Sequence, residues 1–530
     1  MPPADFGLHA FLILLGLWLC TKLFSYTRGS ATTRLNGPPS KSRIFGLLRH
    51  RFDAPDISAD YESWAALYGP VFEIPGLLGA KQIMFTDPKA LTHCYNSERA
   101  VYVKTNVQRI FIDEIFGRGV LSAEGEDHKR QRKALTPAFS NAAIRRLTAV
   151  FYDSAHKVKS IWDERLESKA DDAIIEVQEW MNRTALDSIG IAGFSHDFRY
   201  IEGQKSAVTT AFEAMQLSES SILTKLIFML SSLFPFLLRL PTQRMRLFWD
   251  LRSSLNVIAQ RLLARMQSEK EAGVTEELAD KSIIGLLMKA ELADAELHMS
   301  QEEVVAQMNV LLLAGYETTS VSLTWALIEL AKRPEAQDKL RDELARFNGA
   351  DPTWDQLVSE LPYLDATVLE ILRLHPPVTE TLREAIQDDV VPLSTPIVTR
   401  SGETVSTITV AKGTIISEPI RCINRSESFW GPDAKEFKPE RWIGDITVPA
   451  KEFLGHRHLL TFHDGPRTCL GKSFALAEFK AVLSVLIRNF VFEFPDGPET
   501  KIDLHDGIVP RPKVAGQNGA KVPMTVRRVE

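Results

Sequence analysis

Cys469 is the residue whose neighbours best equip it for chemistry, because it lies in the stretch FHDGPRTCLG that spans residues 462–471. Gly465 permits a tight turn with unusual backbone dihedrals, and Gly471 lets the backbone approach a flat cofactor closely. A helical pattern, KSFALAEFKAVLSVLIRNF, follows directly. The N–H groups and the dipole at a helix N-terminus favour a thiolate over a thiol, so Cys469 is a candidate iron ligand. The alternative is a buried structural cysteine beside a turn.

A second candidate site lies in the middle of a long apolar helix. Ser300 and Glu303 have the spacing of a capping box, which predicts the start of the helix, and the pattern ends at Arg333-Pro334. The stretch AGYETT, residues 314–319, interrupts the helix. A glycine in a helix interior costs about 1 kcal/mol relative to alanine, so we expect the stretch to serve a function. A helix kink with threonine bonding back to the preceding turn is the alternative.

The sequence around Cys469 resembles the haem-binding loop of the cytochromes P450, in which a phenylalanine, a glycine, an arginine, the ligand cysteine and a second glycine stand at set spacing. The resemblance covers nearly the whole chain beyond residue 36. It implies that Cys469 is the axial ligand of the iron in haem b (iron protoporphyrin IX). Cytochromes P450 are the standard example of haem ligated by a thiolate, whose electron push favours O–O cleavage. The residues that the resemblance assigns to cofactor binding are His128, Arg132, Ala314, Arg383, Phe462, Gly465, Arg467 and Gly471.

The family also has a helix motif like residues 314–319, which bends the helix beside the haem and leaves room for O2. Glu317 and Thr318 stand at the positions of an acid–alcohol pair that supplies protons to the distal oxygen. Splitting the O–O bond requires proton delivery without flooding the site with water. The resemblance therefore implies that Glu317 and Thr318 are the catalytic residues.

Haem propionates are anionic and favour arginine forks at the edge of the cofactor. Arg132, Arg383 and Arg467 are the candidates, the last two because they match common family positions relative to the scaffold arginine and the cysteine. His128 and Arg132 are four residues apart, so they share one face of a helix. Many family members carry tryptophan where His128 stands, and histidine can also donate a hydrogen bond.

Two further motifs are assigned to structure and not to catalysis. Glu370 and Arg373 lie three residues apart on a predicted helix, and Arg441 lies in the stretch FKPERW, residues 437–442. By themselves such i, i+3 pairs are usually surface pairs. In the family, however, the arginine of the second motif joins the Glu–Arg pair in a network beneath the haem.

The composition indicates an ordinary globular enzyme. The chain has 530 residues, of which 45% are hydrophobic and 25% charged, and its net charge of −6 gives no reason to expect a nucleic-acid partner. We find no repeat and no long linker in the body, which favours one large domain that is mainly α-helical with small β-sheets. The resemblance implies the triangular helical prism of the cytochrome P450 fold. The clearest predicted helices are Asn141–Leu166, Gln243–Glu271 and Ser300–Lys332, and the predicted strands are Val71–Ile74, Gln82–Thr86 and Val405–Ile416.

The N-terminal stretch Phe6–Phe24 is long and apolar enough to span a bilayer as one helix. Positive charges follow it, whereas a cleaved signal peptide would have them in front. We therefore predict an anchor at 1–28, a proline-containing linker at 29–44 and a catalytic domain at 45–530. The positive-inside rule places the catalytic domain in the cytosol. The resemblance to the cytochromes P450 implies a single-pass protein of the endoplasmic reticulum membrane.

A second apolar stretch, Ile222–Leu240, contains Lys225, Pro235 and Arg239. We interpret it as a lid region that dips into the lipid surface. A second membrane span and ordinary core are the alternatives.

The resemblance implies an NADPH- and O2-dependent monooxygenase that inserts one oxygen atom into a small hydrophobic substrate. We find no Gly-rich dinucleotide fingerprint opening a helix, so electrons must come from a separate NADPH-cytochrome reductase, with cytochrome b5 as a further candidate partner. The family style is eukaryotic, microsomal and fungal, typical of terpenoid or polyketide tailoring; fatty acids, sterols and xenobiotics are alternative substrates. A peroxide-rearranging enzyme and a non-enzymatic haem-binding protein are the rival functions.

The predicted pocket residues are Val107–Ile112, Val310, Leu311, Val378–Thr381, Ile508 and Val509, with Thr379 and Glu380 as candidate polar anchors.

Overall fold

The structure is a computed structural model, and it describes Gly16 and residues 32–530 except 55, 99, 169–171, 218–220, 272–282, 284, 286, 288–296, 445–448 and 530. Within these described residues, no helix has both the length and the apolar character needed to cross a bilayer. Apart from Gly16, the predicted membrane helix lies outside the described residues. The anchor therefore stays a prediction.

Helices account for most of the regular structure, and the strands are short, which confirms the predicted fold class. The α-helices are α1 (Leu48–Asp53), α2 (Ser58–Tyr68), α3 (Pro88–Ser97), α4 (Asn106–Phe116), α5 (Gly125–Leu135), α6 (Asn141–Glu167), α7 (Val177–Phe194), α8 (Ala207–Leu217), α9 (Ile222–Ser231), α10 (Gln243–Glu271), α11 (Gln301–Ala331), α12 (Pro334–Ala345), α13 (Trp354–Ser359), α14 (Pro362–Leu374), α15 (Ile420–Arg425), α16 (Glu427–Trp430) and α17 (Lys472–Asn489). The strands are β1 (Val71–Pro75), β2 (Lys81–Phe85), β3 (Tyr102–Val103), β4 (Asp172–Glu176), β5 (Thr381–Ala385), β6 (Asp389–Val398), β7 (Thr404–Val410), β8 (Ile415–Glu418), β9 (Phe490–Glu493), β10 (Ile502–His505), β11 (Arg511–Val514) and β12 (Pro523–Arg528).

The chain folds into two compact units, each built from separate segments. The smaller unit comprises the described residues up to Thr105 together with Glu380–Cys422 and Gly465–Arg467. The larger unit comprises Asn106–Thr379, Ile423–Asp464 and Thr468–Glu530.

The smaller unit is built on a five-stranded sheet with the order β1-β2-β8-β5-β3, in which only β2 and β8 run parallel. A separate two-stranded sheet pairs β6 with β7. The sequence predicted a single strand over Val405–Ile416, and this is wrong. The turn Ala411–Thr414 divides it into β7 and β8, which join different sheets, and Gly413 in this turn has a positive φ of 86°. The alternating pattern continued across the turn and hid the break.

The larger unit is organised around α11, whose side chains are buried on nearly every face, as expected for a helix that is apolar all round. The predicted capping box is confirmed: the Ser300 hydroxyl accepts a hydrogen bond from the Glu303 N–H, and the Glu303 carboxylate accepts one from the Ser300 N–H. Helices α7 and α17 both pack against α11, and α17 also packs against α6. Two small sheets, β4-β12-β9 and β10-β11, complete the unit.

Candidate active site

Cys469 lies between a short 3-10 turn, Gly465–Arg467, and the first residue of α17. Its backbone N–H donates a 2.8 Å hydrogen bond to the carbonyl oxygen of Phe462, which closes the loop that carries it. Cys469 is exposed, whereas Cys94 and Cys422 are buried. The structure thus places an accessible sulfur immediately before a helix N-terminus, as the sequence predicted.

Desolvation and the polar groups around the sulfur have opposite effects on the pKa of Cys469. Desolvation by the surrounding protein raises the pKa of the Cys469 thiol, while the backbone N–H of Gly471 and the cations of Arg132 and Lys472 act to lower it. A side chain that lines a cavity has this combination of dense surroundings and accessible surface. Because Arg132 and Lys472 favour the thiolate, a metal ion would complete the deprotonation that desolvation opposes.

The protein requires a glycine at position 465 for its backbone conformation, whereas none of the described residues crowds position 471. Gly465 has a φ of +66°, and a Cβ there would lie 3.0 Å from the backbone oxygen of Tyr95, so the predicted unusual dihedral is confirmed. Gly471 has a φ of −84°, and a Cβ there would meet no atom closer than 3.9 Å, on the ring of Phe139. The side of Gly471 is therefore free of close protein atoms, which fits its predicted place against a flat cofactor.

Phe462 is buried, and its ring makes an edge contact with the ring of His456 at 5.9 Å between centroids. Desolvation lowers the pKa of His456 to about 4, so this neighbour of the loop is neutral at physiological pH. Phe462 therefore holds the cysteine loop against the protein interior.

The middle of α11 opens a small accessible face in an otherwise buried helix. Ala314 is exposed and Thr318 partly exposed, whereas Leu313 and Tyr316 are buried. The Thr318 hydroxyl donates a 2.8 Å hydrogen bond to the carbonyl oxygen of Ala314 one turn earlier. Thr318 therefore bonds back to the preceding turn, as in the alternative interpretation of this stretch, and its hydroxyl lies on the accessible face of the helix.

Gly315 has a packing reason that the sequence did not reveal. A Cβ at this position would lie 2.7 Å from the side chain of Ile189 on α7. The glycine therefore permits α7 and α11 to approach closely. This contact explains the unfavourable residue without requiring a bend, and the predicted bend stays a prediction.

The side chains of Glu317 and Thr318 bond to different partners, the Thr318 hydroxyl to Ala314 and the Glu317 carboxylate to Arg511. The Oε1 atom of Glu317 accepts a 2.7 Å hydrogen bond from Arg511 of β11, and both side chains are buried. Arg511 also donates a 2.9 Å hydrogen bond to Asn182 of α7. The Oε2 atom of Glu317 is buried without a hydrogen-bond partner. Arg511 is a site residue that sequence reasoning missed, because its stretch carries no motif and lies almost two hundred residues from Glu317.

The four residues predicted at the haem edge belong to different units. His128 and Arg132 lie on α5 in the larger unit, where His128 is buried and Arg132 is close enough to Cys469 to influence its pKa. Arg383 and Arg467 belong to the smaller unit.

Arg383 already has a protein partner. Its Nε donates a 2.8 Å hydrogen bond to Glu98, and both side chains are buried. Burial alone disfavours the charged guanidinium, but the carboxylates of Glu418 and Glu98 outweigh it and raise the pKa of Arg383. The guanidinium is therefore held in place by carboxylates. Its role at a propionate stays a prediction.

The predicted scaffold network of Glu370, Arg373 and Arg441 is confirmed in the larger unit. Arg441 lies 3.4 Å from Glu370 and 2.8 Å from Asp433, while the indole N–H of Trp442 also donates to Glu370. Hydrogen bonds from Lys438 and Arg441 lower the pKa of Asp433 to about 2, so this carboxylate remains ionised. The network fixes the segment 433–442 against α14.

A second missed group is Glu478 on α17, whose side chain is entirely buried. Burial raises the pKa of Glu478 well above its usual value, although the hydroxyls of Ser188 and Thr319 act in the opposite direction. Ser188 lies on α7, and Thr319 follows Thr318 on α11. Burial thus favours the uncharged form of this acid, which lies where three helices of the larger unit meet.

Sequence comparisons agree with these features. An accessible cysteine before a helix N-terminus, beside cations that favour its thiolate, is the kind of site expected in a haem-thiolate protein. A family model described as "Cytochrome P450" matches residues 37–516. The "Cytochrome P450 monooxygenase claP" of Ampulloclitocybe clavipes is 58% identical, and the match covers 100% of both chains. The "Cytochrome P450 monooxygenase claQ" of the same fungus is also 58% identical, over 98% of this chain and 97% of that one. The "Cytochrome P450 monooxygenase 205" of Postia placenta is 35% identical, over 97% and 96%. The chain belongs to the cytochrome P450 family, and the predicted fungal type is confirmed.

Proposed function

We propose that this protein is a haem-thiolate monooxygenase that uses NADPH-derived electrons and O2 to insert one oxygen atom into an apolar substrate. The observation that carries the proposal is the accessible Cys469 at the N-terminus of α17, with Arg132 close by. Haem b, held by Cys469 with Arg132, His128 and Gly471 around it, would supply the iron centre at which O2 is activated.

The protein's own contribution is to handle protons and exclude water. Thr318 presents its hydroxyl on the accessible face of α11, and its bond to Ala314 fixes the orientation of that hydroxyl. Glu317 follows in the buried interior as the next ionisable group. An alcohol on the open face backed by a buried carboxylate is a suitable arrangement for passing protons without admitting bulk water.

The presence of Glu317 and Thr318 argues against the two rival functions. An enzyme that rearranges peroxides, or a protein that only binds haem, has no need for an acid–alcohol pair. As the substrate class we propose terpenoids or polyketides of fungal secondary metabolism, in keeping with the fungal monooxygenases to which the chain is similar.

We also propose the location and the partners. The exposed apolar residues Ile222 and Phe236, 87% and 63% accessible, support contact of this region with the endoplasmic reticulum membrane beside the N-terminal anchor. NADPH-cytochrome reductase, with cytochrome b5 as a further donor, would bind the cytosolic catalytic domain. Helix α5 is rich in basic residues, but Arg130 binds Glu303 at 2.6 Å within the same unit, which reduces the positive charge that the helix offers to a partner.

The absorbance of the reduced, CO-bound protein tests the ligand assignment, and NADPH consumption with a purified reductase tests the activity. We expect the red-shifted band of a thiolate complex in the wild-type protein and its loss in Cys469→His. We further expect substrate-dependent NADPH consumption and a product that carries oxygen from O2. Well-folded wild-type protein without the red-shifted band would refute the assignment. Haem binding without any NADPH-dependent product would favour the non-enzymatic alternative.

A further inference from the structure

A small cavity lies beside Glu317 in the larger unit, with room for about one water-sized group. Its walls come from α8, α10, α11 and the β10-β11 hairpin, and they combine apolar and charged side chains. The residues that matter here are Met215, Arg244, Phe248, Glu317, Asp506 and Ile508. Ile508 was a predicted pocket residue, and the structure places it on the same cavity as the predicted catalytic acid.

At the Glu317 end of the cavity, one carboxylate oxygen has no hydrogen-bond donor. Arg511 binds only the Oε1 atom of Glu317, and the buried Oε2 atom has no partner. Arg511 is itself held by Asn182, so its position is fixed. A buried carboxylate oxygen without a donor is costly. We therefore expect a small group that can donate a hydrogen bond to occupy this end.

At the Arg244 end, the cavity needs a hydrogen-bond acceptor instead of a donor. Arg244 is half-buried and donates a 3.1 Å hydrogen bond to the carbonyl oxygen of Gly507. Desolvation lowers its pKa, and the carboxylates of Asp506 and Glu317 act in the other direction, so both acids lie within electrostatic reach. Arg244 therefore brings donor N–H groups to the cavity.

The charges around the cavity cancel, because two arginines, Arg244 and Arg511, face two carboxylates, Glu317 and Asp506. Such a site gives no net attraction to an ionised group, whose desolvation would stay uncompensated. A neutral group that both donates and accepts hydrogen bonds satisfies the two ends together. A hydroxyl is the smallest such group.

We propose that this cavity binds a hydroxyl group of the substrate, which donates to Oε2 of Glu317 and accepts from the guanidinium of Arg244. Because the cavity has room only for the hydroxyl, its apolar walls, Met215, Phe248 and Ile508, contact the carbon atoms nearest the hydroxyl, and the rest of the apolar skeleton lies outside the cavity. The substrate class is then apolar alcohols or phenols. This inference rests on the proposed monooxygenase function, and it names the substrate class of that site.

Calorimetric titration of the full-length haem-loaded protein with three matched probes tests the proposal. The probes are 4-hexylphenol, 4-hexyltoluene, which can neither donate nor accept a hydrogen bond, and 4-hexylbenzoate, which is anionic. We expect the phenol to bind about tenfold more tightly than the toluene, because its hydroxyl bonds to two charged groups, and more tightly than the benzoate. Arg244→Met removes the bond that the hydroxyl accepts, so it should reduce the preference for phenol over toluene to about threefold or less while leaving toluene binding unchanged.

Two variants make the result specific to Arg244. Arg246→Met removes an exposed arginine two residues along the same helix and should keep the full preference. Arg244→Lys retains a cation and a donor and should keep most of it. Both should bind 4-hexyltoluene as the wild type does, which shows that the pocket is intact.

Equal binding of phenol and toluene by the wild-type protein would overturn the proposal, and so would a preference that survives unchanged in Arg244→Met. Tightest binding of the benzoate would show an anion site instead. The heat of binding does not depend on turnover. A phenol preference without any oxygenated product would support the hydroxyl subsite while refuting the proposed activity, and product formation without the preference would do the reverse.

Discussion

Arg373 makes a two-pronged ion pair with Glu370 in which both side chains are 0% exposed. Its Nε and Nη2 atoms each lie 2.8 Å from one carboxylate oxygen, and its remaining donor groups bind the backbone carbonyl oxygens of Asn424, Ala434 and Glu436. Every polar atom of the pair therefore has a partner in the larger unit. The guanidinium connects α14 to the loop that leads towards the cysteine.

Removing one member of this pair should destabilise the protein strongly. Arg373→Met would leave the Glu370 carboxylate buried without its main partner and three carbonyl oxygens without donors. We expect the free energy of unfolding to fall by about 3–5 kcal/mol, as for other broken buried pairs. Urea unfolding followed by circular dichroism measures the loss.

The matched control for that experiment is Asp338→Asn on α12, which removes the 68% exposed carboxylate of an i, i+3 pair with Arg341. An exposed pair of this kind contributes less than about 1 kcal/mol. If Arg373→Met cost no more than Asp338→Asn, the buried network would not have the structural role assigned to it.

Thr318→Ala should separate electron use from product formation. The substitution removes the hydroxyl on the accessible face of α11, so protons reach the site without control and reduced oxygen leaves before it reacts with substrate. We expect NADPH consumption to continue while product per NADPH falls at least fivefold. Parallel measurement of NADPH, product and hydrogen peroxide checks this.

Thr324→Ala is the control for Thr318→Ala, because Thr324 makes the same 2.8 Å back-bond, to Ser320, on a buried part of the same helix. It should leave product per NADPH unchanged. Unaltered coupling in Thr318→Ala, or equal uncoupling in both variants, would count against the catalytic role of Thr318.

Gly315→Ala should destabilise the protein although alanine is the better helix former. The added Cβ would lie 2.7 Å from the side chain of Ile189, a distance at which either that side chain or one of the two helices must shift. We expect a loss of about 1–3 kcal/mol in the free energy of unfolding, the usual cost of overpacking. Denaturant unfolding of the folded holoenzyme measures it.

A double substitution tests the cause of that loss. With Ile189→Ala also present, the added methyl has room, so the two effects should couple favourably by at least about 1 kcal/mol. Simple additivity would show that the glycine serves the helix backbone or the cofactor, and that the contact with α7 is not its reason.

Local patterns carried much of the prediction. The capping box at Ser300, the loop around Cys469 and the pair of Glu370 with Arg373 each depend on residues close in sequence, and the structure has them as expected. The partners that were missed come from distant segments. Arg511 reaches Glu317 from the C-terminal hairpin, and Ile189 explains Gly315 from another helix. Contacts of this kind depend on tertiary packing, which no spacing within one segment encodes.

Glu478 should make the stability of the protein depend on pH. Burial raises the pKa of this carboxyl well above its usual value of 4.5, so the folded protein keeps the proton that the unfolded chain releases. The stability linked to that proton is fully present below pH 4.5 and is lost as the pH rises above it, by up to about 1.4 kcal/mol per pH unit. Glu478→Gln keeps the shape of the side chain and has no proton to lose.

We therefore expect the unfolding free energy of Glu478→Gln, relative to wild type, to increase by at least about 1 kcal/mol between pH 5.5 and pH 7.5. Taking the difference between two variants cancels the pH dependence of all other groups. Glu499→Gln, at an exposed position, should give a flat difference over the same range. A flat difference for Glu478→Gln as well would mean that this carboxyl is ionised in the folded state. In that case a cation or an ordered water cluster must lie among Glu478, Ser188 and Thr319 to stabilise the charge, because a bare carboxylate in that position would be too costly.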